Sequence, residues 1–186
     1  FFPRNFFGAR LDGSSGLSKD GEPIHGNIFG QSSFATYALA HERNVVKVPD
    51  DAPIALLGPL ACGVMTGVGT VTNALKVQAG QSVVVAGAGT VGLSAIMAAR
   101  MVGAGRIIAI DPQPARRDMA LSLGATDVID PVGTDTVAAI LELTGGVGVD
   151  YSIDTTARAD VIRSGIMMLA PMGECAVVGA IAHGQD

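Results

Sequence analysis

The apolar, β-branched run Ser82-Val-Val-Val-Ala86 breaks into Gly87-Ala-Gly89-Thr-Val-Gly92, and an apolar helix-like segment follows at once. A strand that enters a helix through glycines at this spacing leaves few folds open to the chain. The first glycine permits the tight turn, the second lets the backbone approach a pyrophosphate, and the third lets the helix lie close on the strand. The next apolar run, Arg106-Ile-Ile-Ala-Ile-Asp111, ends in an acid 19 residues after Gly92. A carboxylate there accepts hydrogen bonds from both ribose hydroxyls of a dinucleotide, and its charge disfavours a 2′-phosphate, so Asp111 argues for NAD over NADP. Pro112 keeps Asp111 away from helical backbone angles. No Lys or Arg lies between Ser82 and Ala99, and none is needed if the N–H groups and dipole of the helix meet the phosphates. The glycines alone are a weak signal, since glycine-rich turns are common. With the strand before, the helix after and the acid in place, they read as a dinucleotide site, with Gly87, Gly89, Thr90, Val91, Gly92 and Asp111 as its candidate residues.

Short apolar runs recur from Val83, Ile107, Val128, Tyr151 and Ala176, at intervals of 24, 21, 23 and 25 residues, with helix-like segments between them. Strands apolar on both sides, spaced widely enough for crossover helices, predict a doubly wound parallel α/β sheet. Gly103 and Gly124 stand where the first two helices should end. On the first helix Val91, Ala95, Ala98 or Ala99 and Val102 share one face, with Ile96 and Met97 beside it, which predicts packing on more than one side. Upstream the pattern is irregular. Residues 1–33 are rich in Gly, Ser, Asp and Asn and read as loop and turns, Ser33–Ala38 and Val45–Val48 read as short strands, and 54–75 as short helices broken near Gly58-Pro59 with a longer one from Gly63.

With 48% hydrophobic and 16% charged residues, the 186-residue chain is globular, and its mean hydropathy of +0.43 leaves apolar surface for a partner. A net charge of −5 argues against nucleic acid and against anionic membrane surfaces, both of which select basic faces. The longest apolar runs contain glycine and fall short of the roughly 20 residues a spanning helix needs. Two cysteines, Cys62 and Cys175, form no disulfide framework, which suits a reducing, cytoplasmic setting. The chain begins at Phe1 in mid-pattern and shows five strands where six are usual for this class, so both ends are expected to continue beyond it.

The segment Cys62-Gly-Val-Met-Thr66-Gly67, some 25 residues before the glycine bend, joins Asn5–Gly13, Phe29–Ala38 and Leu57–Gly63 in a wider likeness. Through these motifs the chain resembles the zinc-dependent medium-chain alcohol dehydrogenases, most of all the aryl-alcohol (benzyl alcohol) branch, from Phe2 to Gly184. The resemblance implies part of a β-rich GroES-like catalytic domain over residues 1–62 and an NAD-binding Rossmann domain over 63–186. It implies a protein that oxidises a primary, aromatic alcohol to the aldehyde by hydride transfer to NAD, using zinc, and that works as a homo-oligomer.

Residue by residue, the resemblance makes Cys62 a ligand of the catalytic zinc, although an isolated cysteine at a helix start is ordinarily a small buried hydrophobe. Thr66 and Val91 match positions that hold the nicotinamide ring. Asp111 matches the ribose acid, Arg116 a basic residue beside that ribose, Thr155 and Thr156 coenzyme contacts, and Val178 and Ala180 backbone partners of the carboxamide. Ile28 and Phe29 match walls of the substrate pocket. The family's other zinc ligands, its proton relay and its structural zinc lobe all precede the part matching Phe1, so the 186 residues alone are expected to bind NAD without dehydrogenase activity.

The remaining chemistry-bearing residues read as structural. His25, His41 and His183 lack ligand spacing and read as surface or loop residues, the seven methionines as core filler, and Cys175 as an inert thiol. Asp150 and Asp154 bracket an apolar strand and resemble no acid–base pair. Two other classes compete with the alcohol dehydrogenase reading. A non-catalytic NAD-binding module has no need of Cys62 or Thr66, and a zinc-free quinone or enoyl reductase generally prefers NADPH, against Asp111. A methyltransferase fits the third glycine and the strand regularity less well.

Overall fold

The computed structural model describes residues 12–24, 26, 36–38, 40 and 42–179. The chain forms two compact units, Phe1–Pro53 and Ile54–Asp186, which part ahead of the 62/63 boundary suggested by the sequence. Ile28, Phe29, Ala180 and the three histidines lie outside the described residues.

In the first unit, β1 (Leu17–Lys19) and β2 (Glu22–Ile24) pair antiparallel, Leu17 opposite Ile24 and Lys19 opposite Glu22. Asp20 (φ 53°) and Gly21 (φ 87°) form the two-residue connection, and positive φ at both positions is what a hairpin turn matching the strand twist requires. The sequence marks Lys19-Asp-Gly-Glu22 as a turn but not its flanking strands, because Leu17-Ser-Lys and Glu22-Pro-Ile carry no clear alternation. The expectation of irregular structure throughout 1–33 is corrected there. The strand expected at Val45–Val48 does not form, and Val45, Val46 and Val48 are exposed. Strand preference measures fit to a pleated, half-buried surface, which these valines do not have. Of Ser33–Ala38 only Thr36–Ala38 are described, as a bend and an irregular position rather than a strand.

The second unit opens with a 3₁₀ turn, Ile54–Leu56, and then a helical run made of a π turn Leu60–Val64, α1 (Met65–Gly69) and a second π turn Thr70–Ala74. The break expected at Gly58-Pro59 is present. A parallel sheet follows, from β3 (Ser82–Ala86), β4 (Arg106–Ile110), β5 (Asp127–Ile129), β6 (Val149–Asp154) and β7 (Leu169–Val177), in the order β5-β4-β3-β6-β7. The crossovers are α2 (Thr90–Met101), α3 (Pro114–Leu123), α4 (Thr136–Leu143) and α5 (Ala159–Met167). This is the doubly wound α/β architecture expected. β7 starts earlier than the predicted Ala176, because Met172 at φ 67° and the glycine after it interrupt the apolar run without ending the strand.

Period-two alternation decides what each strand buries. Val83, Val85, Ile107, Ala109, Tyr151 and Ile153 face one core with α2, and Val84, Ile108 and Ile110 face a second core with Ile140 of α4 and Met168. Each isoleucine or valine fully withdrawn from water contributes about 1.5–3 kcal/mol before conformational entropy is set against it. α2 buries Gly92, Ser94, Ala95, Ile96, Ala98 and Ala99, so its buried positions are small residues apart from Ile96. Val91 and Val102, expected on one face, are only half-buried, and Met97, expected beside it, is exposed. Gly103 (φ 80°) and Gly124 (φ 126°) end α2 and α3 as predicted. The methionines are a correction: Met168 is buried, whereas Met65, Met97, Met101, Met119, Met167 and Met172 are exposed. The inner helix positions are taken by alanine, glycine and isoleucine, and the exposed methionines fall on the outer side of their elements.

The approach of α2 to β3 depends on Gly92, where an added Cβ would lie 1.8 Å from the Gly87 carbonyl oxygen. Gly92→Ala is expected to cost about 1–3 kcal/mol and to lower Tm by about 2–4 °C per kcal/mol. Gly69→Ala, at a helical position with nothing within 4 Å, is expected to leave Tm unchanged or raise it by up to about 1 kcal/mol equivalent. Thermal unfolding of both variants checks the pair, and equal Tm values would contradict the packing.

Candidate functional site

Because β3 lies between β4 and β6, the chain leaves β3 toward one edge of the sheet and later returns to its other side. At such a switch point the loops diverge and leave a crevice at the carboxyl ends of the strands. A cavity of about 660 Å³ opens there, lined by Gly87, Gly89, Asp111, Arg116, Thr155 and Thr156 among others. Residues proposed from the glycine motif and from beyond the ends of β4 and β6 thus line one cavity.

Each glycine of the bend does separate work. Gly87 turns at φ 92°, and a Cβ on it would meet the Thr155 hydroxyl at 2.5 Å. Gly89 has nothing within 4 Å of its would-be Cβ, so the backbone there is open to a ligand. It caps α2 in extended geometry with no side-chain hydrogen bond. The first-turn amides of α2 are therefore left for an anion, as helix geometry dictates.

Asp111 is 2% exposed. Its Oδ2 accepts the Ala88 N–H at 2.8 Å and its Oδ1 the Gln113 N–H at 2.8 Å. Arg116 Nη1, on a mostly exposed side chain, lies 3.6 Å from Oδ2, and Arg117 donates to the Asp111 carbonyl at 2.7 Å while pairing with Asp130 at 3.0 Å. The carboxylate thus ties the glycine bend to the end of β4. Each oxygen keeps acceptor capacity beyond its one backbone partner.

On the other flank, Asp154 is equally buried and accepts from Thr156 N–H (3.1 Å), Thr156 hydroxyl (2.7 Å) and Ala157 N–H (3.1 Å). It holds Ala157 at φ 59°, a left-handed conformation costly without such support. Asp150 is tied to Ser82 at the far end of the sheet by its Oδ2, which accepts from both the Ser82 N–H and hydroxyl at 2.7 Å. Both acids are structural, as the sequence suggests.

α1 and its flanking turns bring the remaining candidates close. A Cβ on Gly63 would meet Thr90 Cγ2 at 2.6 Å, and one on Gly67 would meet the Val91 carbonyl oxygen at 2.3 Å. The neighbours of these glycines, Cys62 and Thr66, therefore lie beside the first turn of α2. Cys62 is exposed and Thr66 half-buried. Among the described residues no three His, Cys, Asp or Glu side chains converge as a metal site. Val178 follows β7, its N–H bonded to the Asp154 carbonyl at 2.9 Å, and does not line the cavity.

Several cavity-lining residues carry no motif in the sequence, among them Pro131 and Val132 after β5 and Arg158 two residues beyond Thr156. The usable signal was position alone, since residues just past parallel strands face the crevice. Arg158 pairs with Asp160 through Nε to Oδ1 (3.1 Å) and Nη2 to Oδ2 (2.8 Å), both side chains exposed. That hydrogen bonding holds the Asp160 carboxyl below the ordinary range and the Arg158 guanidinium above it.

With this geometry in view, a family match settles what kind of chain carries it. Residues 90–186, more than half of the sequence, match the zinc-binding dehydrogenase family. The chain belongs to that family. A probable alcohol dehydrogenase of a Pseudomonas species is 48% identical over 182 residues, 96% of this chain and 57% of that protein. A geraniol dehydrogenase of Castellaniella defragrans is 50% identical over 179 residues, 95% of this chain and 48% of that protein. In structure, the benzyl alcohol dehydrogenase of Acinetobacter calcoaceticus is similar with a TM-score of 0.92 and 47% identity over the whole of this chain and 50% of that one. This member of the zinc-binding dehydrogenases therefore spans about half the length of the relatives it matches. No helix among its described residues is long and apolar enough to cross a membrane.

The two thiols of this zinc-binding dehydrogenase chain differ in setting. Burial pushes the Cys175 thiol up from its ordinary range, opposed by a hydrogen bond with Ser152, whereas Cys62 is exposed. Since the thiolate is the nucleophile, iodoacetamide at pH 7.5 is expected to label Cys62 first. Labelling of Cys175 is expected to lag and to accelerate with rising pH. Peptide mass mapping over time checks this, and equal rates at both sites would contradict it.

Proposed function

We propose that the whole protein is an NAD-dependent, zinc-dependent alcohol dehydrogenase. The observation that carries the nucleotide part is the open backbone at Gly89, on an uncapped helix start, next to a buried carboxylate at the end of the adjacent strand. That arrangement fits a dinucleotide: first-turn amides of α2 for the diphosphate, Asp111 for the ribose hydroxyls, and Arg116 beside the same sugar. Thr155 and Thr156 are assigned to coenzyme contacts, and Thr66 and Val91 to holding the nicotinamide ring. Val178 and Ala180 are assigned to its carboxamide. NAD supplies the hydride acceptor, and zinc, when bound, supplies Lewis acidity at the alcohol oxygen.

Cys62 is proposed as one zinc ligand. It stands beside the start of α2, so a metal at its sulfur would sit near the nicotinamide end of the crevice. The other ligands would come from outside the described residues. Ile28 and Phe29 are proposed as substrate-pocket walls. The similar proteins carry the names of geraniol and benzyl alcohol dehydrogenases. Both alcohols are primary and bear the CH2OH on an unsaturated carbon. We infer a primary alcohol of that kind, with an aromatic one favoured by Phe29, as substrate, and a homo-oligomer as the working form.

Coenzyme titrations test the reading. NAD is expected to bind the unmutated protein more tightly than NADP. Asp111→Gly is expected to weaken NAD by about tenfold, on the order of one charge-assisted hydrogen bond, and to narrow the difference from NADP. Tighter NADP binding before mutation would overturn the ribose assignment. For the metal, zinc content of the whole protein is expected to fall at the catalytic site in Cys62→Ala, and unchanged occupancy would remove Cys62 from the ligands.

A further inference from the structure

The structure assigns Thr155 a positioning role that reaches the diphosphate through the backbone: its hydroxyl holds the carbonyl of the Gly87–Ala88 peptide while Asp111 holds that peptide's N–H. This inference rests on the nucleotide reading above and gives Thr155 a role on the glycine bend that is separable from the coenzyme contact assigned to it there.

The hydrogen bonds converge on one peptide unit. Thr155 Oγ1 lies 3.0 Å from the Ala86 carbonyl and 3.0 Å from the Gly87 carbonyl. A hydroxyl has one proton, so it is shared between the two. The Ala86 carbonyl also accepts the Thr155 N–H at 3.0 Å and keeps that partner without the hydroxyl, so loss of the side-chain bond falls on Gly87. Across the same peptide, Ala88 N–H donates to Asp111 Oδ2 at 2.8 Å. Gly87 N–H is fixed as well, on the Ile110 carbonyl at 2.8 Å. The bend is thereby clasped by β6 from one side and β4 from the other.

Orientation of this peptide matters because of what lies on either side of it. The Gly87 oxygen occupies the space that a Cβ at position 92 would need, 1.8 Å away, so a rotated peptide changes how the first turn of α2 seats on β3. On the far side is Gly89, open to a ligand, and the uncapped amides of the helix follow. A peptide free to turn would spread the directions of those amides. Phosphate oxygens would then meet donors that must first be ordered, and the lost preorganisation appears as weaker binding.

The role separates from direct contact with the base. A residue that touched adenine would matter equally for adenosine and for ADP. One that orders the diphosphate donors matters for ADP and NAD and hardly at all for adenosine. Binding of ADP, NAD and adenosine to the 186-residue chain by calorimetry, with Thr155→Ala, Thr155→Val and Thr155→Ser, reads the difference. Thr155→Ala and Thr155→Val are expected to weaken ADP and NAD about tenfold, the scale of one hydrogen bond with its partner left unsatisfied, and adenosine less than twofold. Thr155→Ser, which keeps the hydroxyl, is expected to restore ADP binding to within about threefold of the parent.

Two hydroxyl-free variants are used so that failure of one to fold leaves the other to decide. Unchanged ADP affinity in the folded variant, with only Tm lowered, would overturn the proposal. So would an equal loss for adenosine and ADP, or a failure of serine to rescue. Should the unmutated chain bind none of the three ligands, the nucleotide reading itself falls and takes this role with it, a result distinct from all of the above.

Discussion

The closeness of α2 to the end of β3 is the constraint from which the site follows. With hydrogen at Gly92 where any other residue carries carbon, the Gly87 carbonyl can sit against the helix, and the helix start is brought up to the sheet. Everything the crevice offers is then measured from that contact: the open backbone at Gly89, the uncapped first turn, and the strand ends beside it. Gly67 extends the same device outward, since its missing side chain lets α1 press on the Val91 carbonyl and brings Thr66 and Cys62 beside the first turn of α2.

Buried acids do the complementary work. Asp111 and Asp154 are each 2% exposed, and a carboxylate so placed is tolerated only when its lone pairs are hydrogen-bonded. Here the partners are backbone amides of the very loops that form the crevice. The desolvation of each charge is offset by fixing a loop, so a rigid rim results. Arg116 and Arg158 stand at the mouth on exposed side chains, where water screens them, and they shape the entrance rather than the frame.

Much of this was legible beforehand, because it is encoded locally. Strand alternation, glycine spacing and the acid after β4 are short-range patterns, and they point to the sheet, the bend and Asp111. Gly103 and Gly124 end their helices as glycines in left-handed backbone do. The misses have equally physical causes. Val45–Val48 has strand-forming residues but no half-buried surface to lie on. β7 continues through Met172 and Gly173, which read as a break. The methionines look like core residues by hydropathy, yet all but Met168 fall on outward positions of their elements.

By itself the sequence determined the succession of strands and helices, the glycine bend and the acid that accompanies it, since each depends on residues near one another along the chain. Tertiary structure alone decided that Asp111 and Thr155 meet at a single peptide, 23 and 68 residues away in sequence, and that Pro131, Val132 and Arg158 border the same cavity. Contacts of that separation are set by how β4, β3 and β6 lie side by side, and strand order in a parallel sheet is fixed by the packing of the crossover helices, which no local spacing records.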